Sequence, residues 1–506
     1  MKYFLFIIAL SFSFTSAAGE YIIKFKNGGA KGLTSQATQL GLKVLDTHDS
    51  AQLVKVTIDD KVLATQWKNL KANKNIEYIV EDFKLYAVRG GININQLREQ
   101  WAIAKVNAQQ AWDKAGNKGS RDTIIAVIDT GADYKHESLA PNMIPGYDFK
   151  DDDSDPMDET SFQNPGHGTH CSGIIGATGE VDGGITGLSP HVSIMPLRFL
   201  GADGSGDLMA GIKAVDYAIE KGAKIISASW GAKVSASQAQ PLIDAVKRAS
   251  DAGVIFISAA GNDGASNDRT GFYPANAKFE NTITVAASNS SDGKPSWSNY
   301  GRAIVDLAAP GDQIMSTVPN NKYQNLSGTS MATPLVSGLV GLLASQMPEI
   351  TGAQARSLIQ TTGANVNIET ACNCRIDAGA AMTALKQNTL TVVPAAATIA
   401  PNGTLQFSGF LGTGPYTFTS SNPSIADIDA NGMLTAKSKG DVKVTVTDSA
   451  GHSAQSLDIR IADKSTGSDP GNPPPGNPGE PGQCPLDPQT CELLCQIMPD
   501  MPWCQN

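Results

Sequence analysis

Residues 123–133 read TIIAVIDTGAD, an apolar, β-branched run that stops at Asp129 and leaves through Thr-Gly. Such a run is expected as a buried strand, and in an open α/β sheet the groups that do chemistry sit just beyond the carboxyl ends of the strands. Working outward, the same texture recurs in AKIISAS (223–229) and GVIFISAA (253–260), and helical patterns such as DLMAGIKAVDYAIEKG and AQPLIDAVKRASDAG alternate with it. The alternation predicts an α/β block over about 92–386, with a mostly parallel central sheet and helices on both faces.

The flanks have other textures. Within 20–86, YIIKFK and LVKVTI alternate as half-buried strands do. KVLATQWKNLKANK can place Val62, Leu63, Trp67 and Leu70 on one helical face, and IEYIVED adds a strand. This is a small α+β module. From about 389 to 463, TLQFSGF, DVKVTVTD and SLDIRIA repeat with period two, separated by turn sequences such as SSNPS and DANG, so an all-β unit is expected. GSDPGNPPPGNPGEPG then gives an extended linker without a core, ahead of a cysteine-dense tail. At the other end, MKYFLFIIALSFSFTSAAGE carries one Lys, a short apolar run and small residues up to Ala18. It reads as an export signal too short to span a bilayer comfortably. The expected boundaries are 1–18 signal, 19–90 α+β module, 91–387 α/β block, 388–463 β unit, 464–483 linker and 484–506 tail.

With 506 residues and a formal net charge of −10, more than one core is expected and nucleic acid or an anionic membrane surface is disfavoured as partner. No later segment has the apolar length of a membrane span, so an exported, soluble, monomeric protein is expected. Export permits disulfides. Of seven cysteines, Cys484, Cys491, Cys495 and Cys504 are expected to form two bridges with three candidate connectivities. Cys372 and Cys374 could pair only in a strained short loop, and their state stays open.

Four polar residues stand at edges of the predicted sheet. Asp129 ends a strand, His167 opens the helical run in NPGHGTHCSGIIGA, Asn262 follows a strand in FISAAGNDG, and Ser330 begins the apolar helix of LSGTSMATP. Each has a bland explanation, as turn former, core histidine or helix cap. Together they are the groups acyl transfer needs: a nucleophile, a base, an acid that orients the base, and a donor for the oxyanion.

IDTGAD, GHGTHCSG, AAGN and SGTSMATP resemble the signature segments of subtilisin-like serine peptidases, in the family's order Asp, His, Ser, over about residues 100–386. HGTHC, WSNYG and GYDFKDDDSDP are similar to the thermitase and proteinase K branches. The resemblance implies a three-layer subtilisin-like fold and a secreted endopeptidase acting on proteins or peptides. In it Ser330 attacks, His167 carries the proton, Asp129 orients His167, and Asn262 with the Ser330 N–H holds the oxyanion. It also implies that Ser229, Trp230, Gly231, Ala259, Ala260 and Gly261 wall the substrate pocket, where Trp230 and Phe272 depart from the usual residues. Leu335 stands where the family has His, at a position expected to be structural. Cys171 is expected as a buried free thiol.

In the thermitase-like pattern the acidic run GYDFKDDDSDPMDE would hold a structural calcium ion on Asp148, Asp153 and Asp155, with a solvated acidic loop as the alternative, whereas HESL, with Ser138, weakens the family's other site. Residues 19–90 resemble the family's propeptide, which implies an intramolecular inhibitor cut off within about 86–91, and 388–463 resembles a bacterial Ig-like domain. The competing reading is an exported adhesion or substrate-binding protein whose peptidase-like block is a silent scaffold.

Overall fold

The computed structural model describes residues 19–26, 30–58, 67–88 and 100–463. The signal segment, the linker, the cysteine-rich tail, and Val62 and Leu63 lie outside these residues.

The expected α/β block forms around a nine-stranded sheet. Its centre runs β7 (Tyr147–Asp148), β8 (Ser193–Arg198), β6 (Ile124–Asp129), β10 (Ile225–Ala228), β12 (Ile255–Ala259), β14 (Thr282–Ser288) and β15 (Leu307–Pro310), all parallel to their neighbours. Cys374–Arg375 continues the sheet in parallel, and Ala364–Asn365 closes that edge antiparallel. Both faces are covered, which is why these strands read as unbroken apolar runs. Along β6, Ile125 and Val127 join one core with helices His167–Gly176 and Thr329–Ala344, while Ala126 and Ile128 join the opposite core with helices Leu208–Glu220 and Gln240–Asp251. The period of two thus assigns successive residues to two hydrophobic layers. Each fully buried Ile or Leu contributes about 2–3 kcal/mol.

The N-terminal module is a four-stranded antiparallel sheet, ordered β2 (Lys43–His48), β3 (Leu53–Ile58), β1 (Gly19–Phe25), β4 (Ile76–Glu81). One face, through Ile23, Phe25, Val54 and Val56, packs on helix Ala30–Gln39 and on Trp67 and Leu70. The other, through Ile22, Leu53 and Val80, enters the core formed by the two helices Leu208–Glu220 and Gln240–Asp251. Charge pairs surround this seat: Lys24 Nζ to Asp244 at 2.7 Å, Lys213 Nζ to Asp46 at 2.6 Å, and His48 Nε2 to Asp216 at 2.6 Å. The Arg248 guanidinium holds the same Asp216 carboxylate.

The C-terminal unit carries short strands from Thr391–Val393 to Ile459–Ile461 in separate small sheets around Val392, Phe407, Leu434, Val444 and Ile459. It joins the α/β block where the Ala395 N–H donates to Ser357 Oγ, 3.1 Å away. Cys372 and Cys374 are disulfide-bonded.

Candidate active site

Asp129 ends β6, and His167 begins the helix beside it. The two segments approach closely because residue 168 has no side chain: a Cβ there would lie 2.0 Å from the Gly131 carbonyl oxygen and 3.1 Å from the Asp129 Cβ. Both residues are buried, and His167 Nδ1 lies 2.7 Å from Asp129 Oδ1, which also accepts the Thr130 N–H at 2.7 Å. With Nδ1 committed to Asp129, the proton-accepting nitrogen is Nε2, which is buried and has no hydrogen-bond partner among the described residues.

The neighbouring His170 is a different kind of group. Burial pushes its pKa down to about 3, and its neutral ring meets the Gln324 carbonyl oxygen at 2.9 Å, so it serves packing. Cys171 is a free, buried thiol whose pKa burial drives well above the usual value.

Asp158, which nothing in the sequence pattern marked, staples the two segments together. Its carboxylate accepts from Thr130 Oγ1 (2.9 Å), Asn164 Nδ2 (3.0 Å), Thr169 N (2.9 Å) and Thr169 Oγ1 (2.7 Å). Asn164 Oδ1 in turn accepts the His167 N–H at 2.8 Å. Burial nevertheless dominates and pushes the Asp158 carboxyl up to about 6, above the ordinary 3.8. The folded protein therefore holds this proton more tightly than the unfolded chain. Stability from this group is greatest below about pH 4 and falls by about 3 kcal/mol as pH rises through 6. The Asp158→Asn variant cannot titrate there. Unfolding of both proteins at pH 4 and pH 7, in an inactive Ser330→Ala background, should therefore show the variant gaining about 3 kcal/mol relative to its parent at the higher pH. An unchanged difference would mean the carboxylate is not strained by burial.

Ser330 is the second residue of helix Thr329–Ala344, where backbone N–H groups lack intrahelical partners. Asn262 follows β12. Its Oδ1 accepts both the N–H and the Oγ1–H of Thr329 at 3.0 Å, which fixes the amide orientation, and leaves Nδ2 buried without a partner among the described residues. Leu335 is buried in the core on the same helix.

A strand of the chain itself lies across this centre. β5 (Lys84–Ala87) inserts between β9 (Ser205–Asp207) and β11 (Trp230–Lys233), antiparallel to both, with Ala87 opposite Trp230 and Tyr86 opposite Ser205 and Gly231. The Val88 N–H donates to the Ser229 carbonyl at 3.0 Å, the Ala87 N–H donates to Gly204 at 3.0 Å, and the Ser330 hydroxyl donates to the Val88 carbonyl oxygen. That contact occupies the hydroxyl, which bonds here to Val88 rather than to His167.

The predicted pocket divides. Ser229 Oγ donates to the Ser330 carbonyl at 3.0 Å, and Ala259 packs on the Val88 side chain. Gly231 pairs by its backbone with Tyr86 of β5, and a Cβ at Gly261 would lie 3.4 Å from the Phe272 ring. Trp230 and Ala260 do not line the pocket with their side chains: strand alternation turns the indole into the core on Phe199, with Nε1–H bonded to the Ile128 carbonyl at 2.7 Å, and turns Ala260 toward Ala286 and Val305.

Among the described residues, Asp148 and Asp153 face each other as a β-bridge, and the side chains of Asp148, Asp153 and Asp155 are engaged by other partners. The Asp148 carboxylate is taken by Arg198 and by the N–H groups of Lys150 and Asp151, Asp153 Oδ1 accepts the Asp155 N–H, and Asp155 Oδ1 accepts the Tyr134 hydroxyl. Among the described residues, the one cluster of three potential metal-ligating side chains is Asp129, His167 and Cys171. Arg198 pairs with three carboxylates here, Asp148, Asp151 and Glu159, so the loop keeps a net negative charge and the oxygen-rich side chains that a calcium ion takes.

Residues 120–390 match the model of the subtilase family, and residues 407–450 match that of the intimin immunoglobulin-like domain. Thermitase of Thermoactinomyces vulgaris is 43% identical over 247 residues, covering 49% of this chain and 82% of thermitase. The thermophilic serine proteinase of Bacillus sp. (strain AK1) is 37% identical over 333 residues, covering 65% and 78% respectively. The major intracellular serine protease of Bacillus subtilis (strain 168) is 39% identical over 259 residues, covering 51% and 78%.

Proposed function

Because the chain belongs to the subtilase family and is a serine endopeptidase, we propose that it is a secreted zymogen in which Ser330, His167, Asp129 and Asn262 cut protein substrates, the first of them its own Val88–Arg89 bond. The observation that carries this reading is the Val88 carbonyl oxygen seated on the Ser330 hydroxyl. An extended segment added as a strand between β9 and β11 brings that carbonyl to the nucleophile, in the strand-addition mode by which a substrate would enter. The relatives named as proteinases, together with the retention of all four polar groups, favour catalysis over an adhesive scaffold.

In the reaction, Ser330 Oγ bonds to the carbonyl carbon as its proton passes to His167 Nε2. Asp129 stabilises the imidazolium through Nδ1–H. The negative charge on the former carbonyl oxygen is held by Asn262 Nδ2–H and the Ser330 N–H. Collapse breaks the C–N bond, with the proton delivered from His167 to the leaving amine, and water then hydrolyses the ester by the same route in reverse. Residues 19–88 stay on the product side as an inhibitor seated on helices Leu208–Glu220 and Gln240–Asp251, while 388–463 forms an Ig-like module and 1–18 directs export. The mature enzyme works as a monomer.

Full-length protein should digest casein, lose that activity to a serine-directed sulfonyl fluoride, and carry Arg89 at its mature N-terminus. Casein hydrolysis that persists in the sulfonyl fluoride, or no hydrolysis after the N-terminal segment has been removed, would overturn the reading.

A further inference from the structure

We propose that Phe272 closes the bottom of the substrate cleft, so that this peptidase prefers a short aliphatic residue, valine or alanine, on the acyl side of the cut bond and discriminates against aromatic ones. The inference rests on the reading of Val88 as that acyl-side residue.

The Val88 side chain is almost wholly buried, at 7% exposure, and its apolar neighbours are Ala259, Phe272 and Ala275. These three form a small cluster apart from the two large cores of the sheet, so the Phe272 ring packs on the substrate-like residue and two alanines. Its position between the cleft walls is fixed by the two glycines on either side. A Cβ at Gly231 would lie 2.5 Å from Phe272 Cε1 and 2.8 Å from Cζ, and a Cβ at Gly261 would lie 3.4 Å from Phe272 Cδ1. The ring therefore spans the gap between segments 229–231 and 259–261, which is where a longer acyl-side chain would have to enter. Valine fills what is left.

The ring cannot retreat cheaply, because its turn is tied to the wall it touches. The Phe272 carbonyl accepts the Asn276 N–H at 2.9 Å, Asn276 Nδ2 donates to the Asn267 carbonyl at 2.8 Å, and Asn267 Nδ2 donates to the Ala260 carbonyl at 2.9 Å. From the other side, Thr284 Oγ1 donates to the Ala275 carbonyl at 3.0 Å. Forcing a large side chain into a packed, hydrogen-bonded site displaces these groups. Shortening Phe272 leaves a cavity that an aromatic side chain can occupy.

The test uses the mature enzyme and four peptides that share Leu-Tyr-Ala, the residues 85–87 of this chain, and end in Val, Ala, Leu or Phe before a chromogenic amine. Wild type should favour Val and Ala over Phe by about 50-fold or more in kcat/KM. Phe272→Ala should raise the Phe-to-Val ratio of kcat/KM by about 10-fold or more. Phe272→Leu, which keeps an apolar side chain for folding, should move the ratio in the same direction by less. Mapping the cuts that wild type makes in casein reads the same preference without any variant. An enzyme that digests casein but favours Phe, or a Val-to-Phe ratio unchanged in both variants, overturns this inference and leaves the peptidase reading standing. An enzyme inert toward casein and all four peptides overturns both.

Discussion

Ser330→Ala should lower kcat by on the order of 10⁶ and leave the exported chain at its full precursor length, uncut between Val88 and Arg89. The size of the loss comes from cooperation. Without the hydroxyl, the Asp129–His167 pair has no nucleophile to activate, and what remains is the oxyanion site and substrate binding. The processing arm rests on placement: among the described residues near this end of the N-terminal module, the carbonyl at Ser330 Oγ is that of Val88, which follows β5 and is held there by the pairing of Tyr86 and Ala87 with Ser205, Trp230 and Gly231. Intact-mass analysis of protein made in a host lacking other extracellular peptidases reads both outcomes at once. A variant trimmed normally at Arg89 would mean that another enzyme performs the cut, and activity within 100-fold of wild type would remove Ser330 from the chemistry.

After the proposed cut, the charge pairs around the N-terminal module would help to hold it in place. Lys24–Asp244, Lys213–Asp46 and the Asp216 carboxylate between His48 and Arg248 bind the module to helices that do not touch the reacting atoms. Each such part-buried pair at the edge of the contact contributes modestly by itself, and salt weakens it. The apolar insertion of Ile22, Leu53, Val80 and Leu85 supplies the larger share of the contact. On the zymogen reading proposed above, cutting after Val88 would remove one covalent link and leave the N-terminal module seated.

Legibility in the sequence depends on the physics of each residue. The sheet was readable because strands buried on both faces must be continuously apolar, as IIAVID and VIFISA are, and because helices such as Leu208–Glu220 keep one apolar stripe. Asp129, His167, Asn262 and Ser330 were readable because each stands where an apolar run breaks. Asp158 was not, since its role depends on four hydrogen bonds from three residues spread over 130–169 and no local spacing announces it. Side-chain direction was also beyond motif reading. Trp230 and Ala260 sit in the expected segments, but the pleat aims them at the cores, and Phe272 reaches the pocket from a strand paired to Lys233. In the acidic loop, composition revealed the carboxylates and not the Arg198 guanidinium, which arrives from β8.

Asn262→Ala should lower kcat by about 10²–10³ and leave KM within a few-fold, a loss of about 3–4 kcal/mol confined to the transition state. The Asn262 oxygen is already used, accepting from both Thr329 groups, so the amide cannot turn its nitrogen elsewhere without breaking two hydrogen bonds beside the nucleophile. Its Nδ2 donor is thus held in a buried place with no partner among the described residues, a cost the folded protein bears until an oxyanion forms there. A ground-state carbonyl gains less from that donor than a full negative charge does, which is why the effect belongs in kcat and not in KM. Asn262→Asp separates the two functions of the side chain. It keeps the acceptor for Thr329 and replaces the donor with a second oxygen, so it should fold as wild type does and be at least as inactive as the alanine variant. Steady-state kinetics on one peptide, with thermal unfolding of the same preparations in the Ser330→Ala background, decides the matter: an aspartate variant near wild-type kcat would reduce Asn262 to a turn residue that anchors Thr329.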